Sequence, residues 1–429
     1  MKKIIYFLAF ILACVACKKE MPKPIVTDPD PPLVITQDTT CTECINCKEG
    51  DGITGPICLW RNKIINNNDL SGNDKPFIYK DLVIFTRNQN SHIPEVILFY
   101  HKKTGKKLAE WEDYASGAPD ALSFKSFYAY GNTLMVGTGT RVYAIDLTTF
   151  KTKWFTKSHN FGDWEVGGIG NTTFHYTSNE SQKTIYLEKG ATNNTKLETI
   201  YEETVPDNTK ITFWHYYPYI EQKDTMLLFW TGKYNYETYV VSWYLNAYNV
   251  TQKKMVYQEK INEFGTDNNF PAPPMVKDNK MYVSLGNGLY CIDIKTGKDL
   301  WRKKLPNKNT HEAILGDDGN VYVSSQAFPS AIFHCFDANN GNELWTTLID
   351  DSCQNMVYCN GVVYTVGQGS TKINAIDTKN RKLLWKYWCS ETKGGNSSIM
   401  FLPYITLDKS TNKLYIGSNT SAYCLQTVQ

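Results

Sequence analysis

The densest grouping of reactive side chains in this 429-residue chain is Cys41-Thr-Glu-Cys44-Ile-Asn-Cys47, followed by Cys58. Thiolates at paired Cys-x-x-Cys spacing can hold zinc or an iron–sulfur cluster. In an oxidising compartment the same residues form disulfides instead, and four cysteines allow three pairings. The start of the chain indicates the compartment. Lys2 and Lys3 precede an apolar run, Ile4 to Ala16, that ends on small residues before Cys17, which is the layout of an export signal. Thirteen apolar residues are too few to cross a bilayer. Disulfides among Cys41, Cys44, Cys47 and Cys58 are therefore the expected state, with free thiols or a metal as the alternatives.

Two further sets could bind a ligand if the fold gathered them. Asp163, Glu165, Asn268, His311, Glu312, Gln354 and Asn396 are carboxylates, amides and an imidazole spread over most of the chain. Brought together, they would form a polar ring suited to a small molecule or an ion. Phe213-Trp214-His215-Tyr216-Tyr217-Pro218-Tyr219 concentrates aromatic rings, and Trp214, Tyr216, Tyr217 and Tyr219 could stack on sugars or anchor a protein. Gly137-Thr-Gly139, Gly286-Asn-Gly288 and Gly367-Gln-Gly369 are glycine clusters of the kind found in phosphate loops, but no helix follows any of them to receive the anion, so they read as turns. No Ser-His-Asp order, zinc-protease helix or close carboxylate pair can be assigned, so no catalytic residue is named.

What could position these groups is a repeat. Leu289 to Trp301 recurs as Phe333 to Trp345, with Cys291/Cys335, Asp293/Asp337, Gly297/Gly341 and Trp301/Trp345 in register. The frame returns at Ala375, Asp377 and Trp385 and at Ala144, Asp146 and Trp154, with Trp eight positions after Asp each time. Ala247, Asn249 and Tyr257 keep that spacing, while Thr104-Gly105 and Trp111 place the Trp two residues late, which is one strand period. Each unit reads as a hairpin: an alternating apolar strand, an Asp and Thr-Gly turn, and a return strand opened by Trp. The slot held by Cys291, Cys335 and Cys424 is Ala in other copies, so it calls for a small buried side chain and not a metal ligand.

Upstream of each hairpin lies a polar turn and a second β-rich run. The aligned positions Ile84, Met135, Phe174, Leu228, Tyr282, Tyr322, Tyr364 and Tyr415 are spaced by 51, 39, 54, 54, 40, 42 and 51 residues. That interval holds four strands, the size of a propeller blade. The predicted fold is all-β, a single eight-bladed β-propeller of four-stranded antiparallel blades. The third copy, near Phe174 to Ile200, lacks a clear Trp, and the interval from Glu188 to Asn249 leaves room for an enlarged loop in the fourth. The last copy stops at Ala422-Tyr-Cys-Leu425 without a Trp strand, whereas Leu59-Trp60-Arg61-Asn62-Lys63-Ile64 matches Leu300-Trp301-Arg302-Lys303-Lys304-Leu305. An N-terminal strand is thus expected to complete the last blade and close the ring.

The pattern Ala-x-Asp-x-x-Thr-Gly-x-x-x-Trp resembles the tryptophan-docking repeat of the pyrroloquinoline-quinone-like propeller superfamily. Ile11-Leu-Ala-Cys14 and Cys14-Val-Ala-Cys17 both resemble the lipobox, in which the cysteine is diacylated; Cys17 is favoured because Lys18, Lys19 and Glu20 open the polar segment there. Together these features look like the propeller lipoproteins of the outer-membrane β-barrel assembly machinery. The resemblance implies an outer-membrane lipid anchor, facing the periplasm or the cell surface, because no Asp follows either candidate cysteine. The quinoprotein dehydrogenases of the same superfamily use adjacent cysteines beside their quinone, and no two cysteines are adjacent here, so no cofactor is expected.

The chain then divides into a signal peptide, 1–16, a Pro-, Thr- and Asp-rich spacer, 17–57, and the propeller, 58–429. Removing the signal takes away two lysines and leaves 43 basic against 43 acidic residues, so no electrostatic footprint for nucleic acid remains. The expected partners are the membrane, through the anchor, and an envelope protein; the aromatic content raises glycan binding or processing as the alternative. A noncatalytic scaffold is the leading expectation, ahead of a quinone-dependent dehydrogenase.

Overall fold

A computed structural model describes residues 57–63, 75–89, 93–114, 122–138, 141–157, 165–179, 181–261, 271–307, 311–327, 330–349, 353–367, 372–388, 401–418 and 420–427. The chain divides into the units Met1–Gln37 and Asp38–Gln429, and every described residue lies in the second. Cys14, Cys17, Cys41, Cys44, Cys47, Asp163, Asn268 and Asn396 lie outside the described residues.

The described residues form 32 strands in eight four-stranded antiparallel sheets. The eight aligned positions found by the repeat all fall in second strands. The first strands of blades 1 to 8 are Phe77–Tyr79, Leu122–Tyr130, Val166–Ile169, Thr209–Glu221, Met275–Lys277, Ile314–Leu315, Asn355–Cys359 and Phe401–Asp408. First strands of neighbouring blades touch one another, as in blades 2 and 3, 3 and 4, 6 and 7, 7 and 8, and 8 and 1, so they are the inner strands around the axis. Outer strands are half wet: Lys151–Lys157 and Lys254–Lys260 alternate exposed and partly buried residues. Second strands such as Thr133–Thr138 are buried throughout, because both faces of the blade are covered by neighbours.

Eight apolar clusters fill the eight gaps between blades. The gap between the last blade and the first is filled by Trp60, Tyr415, Ala422 and Cys424 against Val83, Leu98 and Tyr100, so the ring is closed. Closure follows the expected route. Cys58–Lys63 pairs antiparallel with Ser421–Gln426, with Trp60 opposite Cys424 and Arg61 opposite Tyr423, and supplies the outer strand of blade 8.

The turn chemistry explains why the repeat has its particular residues. Asp146, Asp293 and Asp377 each accept two backbone N–H bonds from the turn that follows. Four positions on, the chain enters the left-handed region at Phe150, Gly297 and Arg381, with φ of 56°, 71° and 58°, and at the equivalent Gly105 and Gly341, with φ of 68° and 69°. The absence of a side chain at the glycines serves the neighbouring blade. An added Cβ at Gly105, Gly297 or Gly341 would lie 2.6 Å from the ring of Trp60, Tyr257 or Trp301 respectively, each contributed by the preceding blade. The same rings bond to that turn: Trp60 Nε1 donates to the Lys102 carbonyl, Tyr257 Oη to Ile294 and Trp301 Nε1 to Ala338, at 3.1, 2.7 and 3.1 Å. Gly341→Ala is therefore expected to destabilise the protein by about 2 kcal/mol or more, through positive φ and the Trp301 clash together. Urea denaturation measures this, and a midpoint unchanged from wild type would contradict the docking account.

Two irregular copies become clear. In blade 3 the outer strand is Asn194–Thr204, and Tyr201 sits opposite Leu187 just before a bulge, where Trp154 sits opposite Ala144 in blade 2. A two-residue turn and longer strands displaced this ring from the eight-residue frame. In blade 1 Ala109 holds the register position and Trp111 lies one strand period beyond, buried as expected. The added length in blade 4 lies in its strands rather than in an enlarged loop: Thr209–Glu221, Asp224–Asn235 and Val240–Asn249 are 13, 12 and 10 residues long.

Candidate functional site

Because each inner strand starts at one end of the ring, the residues just before it gather around the axis on what we term the leading face. Lys75, Glu165, Glu312 and Gln354 all occupy such positions. Lys75 Nζ, from blade 1, lies 3.5 Å from Glu312 Oε1 of blade 6, an ion pair between blades that are not neighbours. The other Glu312 oxygen accepts from Asn355 Nδ2 of blade 7. Asn355 Oδ1 in turn accepts from the Ile405 backbone N–H of blade 8 at 3.0 Å, and Thr406 Oγ1 donates to the Pro76 carbonyl at 2.5 Å, returning to blade 1. Four blades are thus linked by a polar circuit, in which Asn355 is buried and Lys75 remains 45% exposed. His311 is half-buried beside Glu312, and the Gln354 N–H is used by the Val366 carbonyl at 2.9 Å. Gln354 Oε1 is buried without a hydrogen-bond partner among the described residues.

Glu165 belongs to a second group, between blades 3 and 4. His215 Nδ1 is 2.7 Å from Glu165 Oε1, and both side chains are largely buried. His215 is the extra residue of a β-bulge, with φ of 29° and a register shift between Trp214 and Tyr216. The bulge redirects the aromatic run. Phe213 and Tyr216 face the gap between blades 3 and 4, whereas Trp214, Tyr217 and Tyr219 face the gap between blades 4 and 5. The four candidate rings are accordingly not brought together on one surface, and all are half-buried. Tyr216 Oη donates to the Phe174 carbonyl at 2.9 Å; burial, reinforced by the Glu165 charge, holds its hydroxyl well above the usual phenol range.

The cysteines of the shared slot are separated by the ring. Cys291 faces blade 6, Cys335 faces blade 7 and Cys424 faces blade 1. Burial pushes these thiols up to about 11, 12 and 12, which leaves them protonated at neutral pH. Cys58 is buried in the closing strand, with Sγ 3.5 Å from the Trp60 carbonyl.

One arrangement escaped sequence reasoning. Ser325 Oγ is 2.8 Å from His334 Nε2, and His334 Nδ1 is 2.6 Å from Glu343 Oε1. The three come from the second, third and outer strands of blade 6, so only strand register brings them together. Their geometry is that of a nucleophile, base and orienting acid. Ser325 and His334 are, however, 0% and 2% exposed, on the face that packs against blade 5. A substrate cannot reach the hydroxyl, so the trio acts as an internal hydrogen-bond relay that satisfies polar groups between strands.

Residues 249–422 match the family described as "Outer membrane protein assembly factor BamB". The chain is a β-propeller that resembles BamB and the pyrroloquinoline-quinone-like propellers. The matched segment spans the outer strand of blade 4, blades 5 to 7, where the Trp repeat is most regular, and the first two strands of blade 8. BamB from Moraxella catarrhalis superposes on this BamB-like propeller with a TM-score of 0.59 at 14% identity, over 87% of this chain and 100% of that one. The computationally designed Ika8 protein gives 0.54 at 12% identity, covering 83% and 98%. The quinohemoprotein alcohol dehydrogenase ADHIIG from Pseudomonas putida HK5 gives 0.56 at 11% identity, covering 86% and 76%. At these identities the likeness is one of fold. No curated protein sequence matches the chain.

Proposed function

We propose that the chain is a noncatalytic envelope lipoprotein, anchored to the outer membrane through Cys17, that presents its leading face to a protein partner in outer-membrane protein assembly. The observation that carries this reading is the BamB family match over 249–422 on a closed, eight-gap ring. Ring closure through Trp60 and the polar circuit of Lys75, Glu312 and Asn355 support a rigid platform, which lowers the ordering cost of binding. The burial of Ser325 and His334, with only Glu343 reaching solvent, favours a scaffold over a hydrolase. Among the described residues no helix is long and apolar enough to cross a membrane, so in this reading the protein is held by its acyl chains.

The test is photo-crosslinking in intact cells, with the reactive residue placed at Lys75 or Glu237 on the leading face and at Lys379 on the opposite one. A discrete protein adduct formed from leading-face positions is the expected result. Adducts from Lys379 alone, or none from any position in a correctly localised protein, would overturn the reading.

A further inference from the structure

Blade 4 is built from longer first, second and third strands than its neighbours, and the added length forms an arm. Its first three strands extend beyond the His215 bulge as a paired sheet, Thr209 to Trp214 against Trp230 to Asn235, and Asn235 to Gly232 against Val240 to Trp243. The turn at the tip joins a second strand to a third and so lies on the leading face. Asn235 Oδ1 accepts the Glu237 and Thr238 N–H groups, both at 2.9 Å, which shapes that turn. The tip exposes Tyr236 and Tyr239, at 46% and 70%. Blade 3 braces the arm, since Ile211 N–H donates to the Gln182 carbonyl at 2.8 Å and Lys183 Nζ lies 5.8 Å from the Tyr236 ring centre.

Between arm and brace is a cleft of about 430 Å³, lined by Thr204, Thr209, Asn235, Thr238, Ser242 and Tyr244 among others. Its walls combine hydroxyl, amide and aromatic groups with the apolar Val205, Pro206 and Val240. Among the described residues of the wall the one cation, Lys233, is matched by Glu203 Oε1 at 2.5 Å and lies over the Tyr244 ring at 4.5 Å, so this lining carries no unbalanced charge. Hydroxyls and amides can both donate and accept, matching the alternating hydroxyls of a sugar, while tyrosine faces receive its C–H surface. An acidic chain would find no free cation among the described lining residues. The volume lies within the usual range for ligand sites.

From this lining we infer that the blade 4 cleft binds a neutral glycan, with Tyr239 and Tyr236 as stacking surfaces at its rim and Thr238 and Ser242 as hydroxyl partners. This goes beyond the scaffold role and stands or falls separately from it. The test is affinity electrophoresis of the full chain in gels containing dextran, laminarin, xylan or glucomannan, with alginate and heparin as anionic counterparts. Retention by at least one neutral polymer is expected. It should weaken about tenfold in Tyr239→Ala and in Thr238→Val combined with Ser242→Ala, with unchanged migration in plain gels. Tyr130, exposed at the far end of the blade 2 inner strand, provides the control, and Tyr130→Ala should be retained like the wild type. The inference is overturned by no retention in any neutral gel, by retention in anionic gels alone, or by equal losses in Tyr130→Ala and Tyr239→Ala.

Discussion

Trp60→Ala is expected to destabilise the protein by about 3–5 kcal/mol, the range for emptying a buried indole site. Trp60 is 4% exposed and sits between the first and last blades. It stacks on Tyr100 at 6.1 Å, meets Tyr415 at 6.0 Å, and donates Nε1 to the Lys102 carbonyl. The same carbonyl accepts from Tyr415 Oη at 3.1 Å, while Lys102 Nζ lies 3.1 Å from Asp408 Oδ2, so one turn of blade 1 is held by three groups of blade 8. Removing the indole leaves a cavity at the single seam of the ring where sequence continuity does not help. Leu300→Ala provides the comparison: Leu300 also lies on an outer strand but is 50% exposed, and should change stability by no more than about 0.5 kcal/mol. Denaturant melts of the two variants decide the matter. Equal and small effects would mean that the N-terminal strand does not close the fold.

The second large effect is acid sensitivity. His175 is buried in blade 3 with Nε2 3.1 Å from Thr173 Oγ1, and burial depresses its pKa to about 3, against about 6.5 in an unfolded chain. The folded protein holds this imidazole neutral. Above the unfolded value both states are neutral and the full stability is present; as pH falls below about 6.5 the unfolded state takes up a proton that the folded state refuses, and stability declines toward pH 3. The loss is about 3 kcal/mol at pH 4, from 1.36 kcal/mol per unit. Asp408 acts lower on the scale. Burial raises its pKa, but hydrogen bonds from Ser410, Lys102 and Thr411 and the Lys102 charge outweigh this and hold it at about 2. Its contribution is present above about pH 3.9 and is lost as pH falls toward 2. His175→Gln should therefore flatten stability between pH 6.5 and 4 and leave the steeper loss below pH 4. Urea melts across that interval, with identical slopes in variant and wild type, would refute the assignment.

Much of the architecture was legible because each blade repeats a local code. Asp293, Gly297 and Trp301 declare a turn, a left-handed residue and a docking ring within nine positions, and the same three recur at Asp337, Gly341 and Trp345. The homology of Leu59 to Ile64 with Leu300 to Leu305 was enough to place Trp60 in the final blade. Tyr201 was missed because its tighter turn shifts the frame, and Tyr replaces the expected Trp. The aromatic run was visible as composition, but its division between two gaps was not, because one bulged residue, His215, reverses which side chains share a face.

The candidate site was legible only in part. Placing Glu165, His311, Glu312 and Gln354 near the axis required nothing more than knowing where inner strands begin. Pairing Lys75 with Glu312, or aligning Ser325, His334 and Glu343, required the ring curvature and strand register.

Periodicity by itself determined the all-β class, the blade number, the docking turns and the closing strand, since each is written in residues a few positions apart and repeated often enough to be read. Only the tertiary structure decided which polar groups meet across the axis, that Ser325 and His334 are sealed between blades, and that blade 4 rises into an arm. Those outcomes depend on distances between blades, and a chain folded into a ring brings residues together according to angle and register rather than their order along it.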